Sequence, residues 1–134
     1  MNEVTLWPVV AAGFASSIIG FIWYHPNVFG SAWMRMAKIS PEMMEAGKKK
    51  MPFMAFFGLI GAILMAYVMA HFAIAWGVYD WLGAIELAFW IWLGFVVPPM
   101  LGIVLWEGKS VKLFALNVFY WLFAMIAMAL VLVR

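Results

Sequence analysis

Cysteine is missing from the 134 residues. That excludes disulfides, thiolate metal sites and a cysteine nucleophile, and says nothing about compartment. Charge is scarce too, at 10% of residues where soluble domains carry roughly 25%. The eight Lys and Arg exceed the six Asp and Glu by two, which is not the basic surface of a nucleic-acid binder. Histidine occurs twice. No Gly-rich phosphate loop, His-x-x-x-His zinc pair or Ser/His/Asp set can be assembled from what remains. We therefore expect no catalytic group, no cofactor and no metal site.

What is present is apolar. Hydrophobic residues make up 69% of the chain and the mean hydropathy is +1.04. A water-soluble fold of this length could not bury so much apolar side chain, so the chain reads as an integral membrane protein in a lipid bilayer, a single membrane domain over 1–134. Four apolar runs stand out, at about 4–24, 52–75, 82–106 and 111–133. Each holds about 20 residues or more, enough for a helix to cross the hydrocarbon core. Backbone amides in lipid must pair internally, and the alternation of a barrel strand is absent, so the expectation is an all-α, polytopic bundle of four transmembrane helices. The first run lacks the basic start and small-x-small end of a cleaved signal and is read as a permanent span.

The connections differ in kind. "WGVYDW" and "WEGKSVK" are short turns, the first implying an antiparallel helical hairpin of spans two and three. Gly108 is a candidate helix stop and Ser110 a candidate N-cap. Asp80 lies in the first of these turns. The loop 25–51 is the long one and holds two short helix candidates, "SAWMRMAK" and "SPEMMEA". In the second, Ser40 would cap, Pro41 would take the first helical position and Gly47 would end the helix. Their mixture of Met, Trp, Lys and Glu suits the headgroup plane. Seven basic residues (Arg35, Lys38, Lys48, Lys49, Lys50, Lys109 and Lys112) share one side of such a bundle, and only Arg134 falls on the other. The positive-inside rule then puts the first and third loops in the cytoplasm and both termini outside, in a bacterial inner membrane. Trp7, Trp23, Tyr24, Trp76, Tyr79, Trp81 and Trp106 fall at the predicted membrane edges, where amphipathic rings settle; Arg134 would anchor to headgroups.

Within the spans, Gly58, Ala62, Ala66 and Ala70 recur every four residues, as do Ala12, Ser16 and Gly20. Such stripes let helix backbones approach closely, within one chain or between copies in a homo-oligomer. Intramembrane polar groups are where a function would sit. His71 and Glu86 each lie about one turn from the outer ends of spans two and three, so a pair is allowed, either as a proton or cation site or as a hydrogen bond at the wet interface; the structural reading is preferred. Pro98 and Pro99 would free the carbonyls of Gly94 and Phe95 and kink span three. Asn117, at similar depth, could supply a donor to them. The twelve methionines, including Met34, Met36, Met43, Met44, Met65 and Met69, raise Cu(I) binding, but packing filler is preferred because the chain lacks Cys and a tight Met repeat.

The stretch "GFIWYHPNVFGSAWM", residues 20–34, combines the end of span one with an aromatic turn. Trp23 and Tyr24 hold the headgroup level, His25 can be wet there, Pro26 marks the boundary, and Phe29, Gly30 and Trp33 turn the chain along the surface. Gly20, Trp23, Tyr24, Pro26, Phe29, Gly30, Trp33 and Met34 together resemble the bacterial membrane-protein family known as domain of unknown function 1761. "WLGFVVPPM" (92–100) and "WEGKS" (106–110) resemble it more weakly. The resemblance implies a four-helix membrane protein over essentially the whole chain and carries no activity with it. It marks residues 23–33 as the first place to look for a partner or ligand. Three function classes follow: a non-enzymatic structural, interaction or accessory protein, which leads; a small oligomeric transporter or channel using His71, Glu86 and Asn117; and a membrane enzyme or quinone- or lipid-binding subunit using His71 and the deep tryptophans Trp90, Trp92 and Trp121.

Overall fold

A computed structural model describes residues 3–133, and Arg134 lies outside them. Four helices are long and apolar enough to span a membrane: α1 (Leu6–Trp23), α4 (Met51–Ala75), the two-part helix α5 (Trp81–Ile91) plus α6 (Val97–Glu107), and α7 (Val111–Val133). The long loop carries α2 (Ser31–Met36) and α3 (Pro41–Lys48). No strand occurs among the described residues.

Helix ends follow local chemistry. The Ser40 hydroxyl accepts the Met43 N–H at 3.1 Å, with Pro41 opening α3. The Asp80 carboxylate accepts the Gly83 N–H at 2.8 Å and starts α5, a role not expected of it from the sequence. Gly108 takes the left-handed conformation (φ 67°) that ends α6, and Ser110 accepts the Leu113 N–H at 3.3 Å. Gly47, expected to end α3, does not. It stays helical and the helix runs on to Lys48, which pairs with Glu45 at 2.9 Å one turn back.

α1 packs against both α4 and α7, and α5 packs against α7, so α7 is the central helix. The core is built from small and flexible side chains: Ala12 from α1, Ala66, Ala70 and Ala73 from α4, Ala84 and Ala88 from α5, and Met125, Met128 and Ala129 from α7. Alanine faces bring helix backbones together, which is how helices associate where lipid already solvates apolar side chains. Spans two and three, expected to pack as a hairpin, have little direct contact. α7 touches both and fills the space between them, while an apolar cavity of about 510 Å³, lined by Leu64 and Val68 of α4 and by Ile91, Phe95 and Val96, separates their middle sections.

Pro98 and Pro99 do not break the third span into unconnected pieces. A π-helical turn, Trp92–Val96, precedes them, and the Val97 N–H reaches back five residues to the Trp92 carbonyl. The widened turn restarts the helix at Val97 and leaves both prolines in the first turn of α6, where N–H groups have no intrahelical partner to lose. The Trp92 indole N–H donates to the Val118 carbonyl at 2.7 Å, tying this turn to α7.

Candidate functional site

The motif at residues 20–34 has a definite local structure. After α1 ends, the His25 imidazole Nδ1 accepts the Asn27 N–H at 3.1 Å, and the His25 carbonyl accepts both the Val28 and Gly30 N–H groups at 2.9 Å. The second of these bonds spans five residues and makes Pro26–Gly30 a π-helical turn. The Ser31 hydroxyl closes it by donating to the Pro26 carbonyl at 2.9 Å. Gly30 is buried inside the turn with ordinary helical torsions (φ −60°, ψ −40°). Space, not torsion, demands glycine there: a Cβ would strike the Tyr24 carbonyl oxygen and lie 2.8 Å from the His25 carbonyl carbon.

This turn folds Phe29 back onto Trp23 and Trp33 back onto Tyr24. The Trp23 ring packs on Phe29 (centroids 4.5 Å apart) and on Phe123 of α7 (5.7 Å). Its indole N–H is buried without a hydrogen-bond partner. Tyr24 meets Trp33 edge-on at 5.8 Å and Tyr120 of α7 at 5.5 Å. The Tyr24 hydroxyl donates to the Asn117 side-chain oxygen at 2.6 Å. Asn117 is thus engaged by the motif and not by the proline-proximal carbonyls expected to use it. The Tyr120 hydroxyl donates to the Ser16 carbonyl at 3.0 Å and lies 3.2 Å from the Ser16 hydroxyl, so α1 and α7 are joined through buried oxygens.

A cavity of about 720 Å³, open on one side, lies against these groups. Tyr24, Pro26, Gly30, Trp33 and Met34 of the motif wall one end. Met44, Met51, Met54, Gly58 and Ala62 form the α3–α4 side, and Ser16, Ser17, Gly20, Tyr120 and Trp121 the α1–α7 side. No charged side chain lines it. Its polar lining residues are Ser17, Trp33 and Trp121, together with Ser16, Tyr24 and Tyr120, whose hydroxyls already bond to Asn117 and to one another's residues. Such a wall solvates an apolar body and one uncharged hydrogen-bonding head. Small residues shape it: Gly58 is exposed with nothing within 4 Å of where a Cβ would stand, and Gly20 leaves the Tyr120 hydroxyl 3.1 Å from that position.

The remaining sequence candidates fall elsewhere. Ala62, Ala66 and Ala70 are buried, as are Ala12 and Ser16. α1 also approaches α4 closely at Gly13, outside both stripes, where a Cβ would strike Ile63 Cγ1 and lie 3.1 Å from its backbone nitrogen. His71 and Glu86 are both exposed; His71 stacks edge-on with Tyr67 at 4.7 Å. Among the described residues no ion pair joins them. Of the deep tryptophans, Trp121 lines the cavity, Trp92 is held by Val118, and Trp90 is exposed. Tyr120 is the site residue that sequence reasoning left unassigned. Its signal was a hydroxyl in a largely apolar span, but its partner Ser16 stands 104 positions away.

Four apolar helices, with an aromatic π-turn closing the end of the first, define a small polytopic helical membrane protein. The profile of the family described as protein of unknown function (DUF1761) matches residues 7–133, and the chain belongs to that family. No curated protein and no solved structure matches it.

Proposed function

We propose that the protein is a non-enzymatic membrane protein that holds a neutral amphiphile, an acyl or prenyl chain with one uncharged hydrogen-bonding head such as a quinone or diacylglycerol, in the 720 Å³ cavity. One observation carries this reading: six of the eight residues that carry the family resemblance (Gly20, Tyr24, Pro26, Gly30, Trp33 and Met34) line a cavity free of charged side chains, beside the hydroxyl-bearing Ser17 and Tyr120. Its volume falls within the roughly 300–1,000 Å³ of small-molecule sites. In the proposed orientation the seven basic residues face the cytoplasm, so the motif end of the cavity lies at the inner headgroup level and its Ser16 and Ala62 end reaches into the hydrocarbon. Transport has less support, since Glu86 lines neither this cavity nor the apolar one between α4 and the third span.

A diacylglycerol analogue carrying a diazirine on its acyl chain tests the reading. After irradiation in detergent, adducts are expected on the peptides containing Met34, Met44, Met51 and Met54, and Gly58→Phe, which projects into the cavity, is expected to suppress them. Adducts spread evenly over the exposed faces of all four spans, and indifferent to Gly58→Phe, would contradict it.

A further inference from the structure

A further cavity, of about 510 Å³, lies beyond Asn117, between the end of α2 and the turn joining α6 to α7. It differs from the motif-walled one in chemistry. Lys38, Glu107, Lys109 and Ser110 form its polar end, while Met100, Ile103, Val104 and Phe114 line its apolar length. Ser110 and Asn117 both line it and stand seven residues apart along α7, so the cavity runs about 10 Å from the headgroup level into the span. The ion pair among the described residues is Lys48–Glu45, so Glu107 neutralises neither Lys38 nor Lys109 within bonding distance. The polar end therefore presents two cations against one anion, above an apolar slot.

We propose that this cavity binds an anionic phospholipid, its phosphate between Lys38 and Lys109 and one acyl chain along Ile103 and Val104. A soluble phosphate ester would meet the same lysines but has nothing to place in the apolar slot, which extends past the first turns of α7. The Tyr24–Asn117 hydrogen bond is the partition between this site and the neutral cavity, since Tyr24 lines one and Asn117 the other. The two sites thus divide ligands by charge across one bond.

The test uses the full-length protein in mild detergent, with binding read by native mass spectrometry and by thermal shift. The probes are dioctanoyl phosphatidylglycerol, dioctanoyl phosphatidylcholine and inorganic phosphate. Phosphatidylglycerol is expected to bind and stabilise, and the other two are not. Near a membrane surface each lysine contributes about fivefold, so Lys38→Asn with Lys109→Gln is expected to weaken phosphatidylglycerol binding about 25-fold. Asn is chosen because position 38 has φ 59°, which Asn tolerates. The triple variant Lys48→Gln, Lys49→Gln, Lys50→Gln removes more charge from outside the cavity and is expected to leave binding within twofold. Glu107→Gln, which keeps both lysines, is expected to tighten it and stands independently of whether the double variant folds. Equal binding of phosphatidylcholine, full competition by inorganic phosphate, or equal losses in the double and triple variants would each overturn the proposal.

Discussion

Gly30→Ala is the substitution that sets steric exclusion inside the π-turn against ordinary helix propensity. Gly30 has helical torsions, so propensity alone says alanine should stabilise by about 1 kcal/mol. The structure says the opposite. A Cβ would strike the Tyr24 carbonyl oxygen and lie 2.8 and 2.9 Å from the His25 carbonyl carbon and oxygen. These are backbone atoms and no rotamer moves them. Relief requires opening the π-turn, which loosens the Gly30 and Val28 hydrogen bonds to His25 at about 1 kcal/mol each. Overpacking strain adds about 1–3 kcal/mol. Set against the propensity gain, the net cost is about 2–4 kcal/mol. The matched control is Gly58→Ala, the same chemical change at a site with nothing within 4 Å, expected to be neutral or to stabilise by up to about 1 kcal/mol. Equilibrium unfolding in mixed micelles, followed by far-UV circular dichroism, measures both. The nine tryptophans provide a second optical probe. A Gly30→Ala protein as stable as wild type would mean that the π-turn accommodates a Cβ, and a Gly58→Ala protein equally damaged would mean that the loss is not steric.

Gly13→Ala should cost about 1–3 kcal/mol by driving α1 off Ile63, and Ile63→Ala in the same chain should recover part of that; the same unfolding assay reads both. Tyr24→Phe should cost about 0.6–1.5 kcal/mol, and a double-mutant cycle with Asn117→Leu should show favourable coupling between the two positions; strictly additive losses would mean that the bond contributes nothing. Ser16→Ala should cost under about 0.5 kcal/mol, because the Tyr120 hydroxyl keeps the Ser16 carbonyl as its acceptor. Reporter fusions at both termini should give periplasmic signals, and cytoplasmic signals from both would invert the orientation.

Local features of this fold were readable because their causes are local. Apolar run length marked the four spans to within a few residues, and the Ser40 cap, the Gly108 stop and the Ser110 cap each depend on neighbours two or three positions away. Gly47 was misread for the same reason: glycine permits a helix end but does not compel one when Lys48 and Glu45 favour continuation. The pairing of helices was less legible. A short link between spans two and three suggested a packed hairpin with His71 beside Glu86, yet α7, from the far end of the chain, presents the better surface of Ala124, Met125 and Ala129 and sits between them. Gly13, where a Cβ would strike Ile63 of α4, is one position off the counted stripe. The site itself was half visible. Residues 20–34 were marked out as an unexplained set, but Tyr24 with Asn117 and Ser16 with Tyr120 are pairs 93 and 104 positions apart, and one sequence holds no trace of such distances. The prolines were read as a kink, and the structure adds the π-turn that precedes them. The Val97 N–H bonds back to Trp92 across that turn, and the Trp92 indole bonds to Val118 of α7, a partner 26 positions away.

In the proposed function a neutral amphiphile occupies the motif-walled cavity and travels with the purified protein. Native mass spectrometry of the protein released from membranes in mild detergent, wild type beside Gly58→Phe, tests it most directly. The wild-type spectrum should carry one bound neutral lipid or quinone that the Gly58→Phe spectrum lacks, with both proteins equally folded by circular dichroism. An unliganded wild-type protein, or the same adduct at the same occupancy in both, would contradict it.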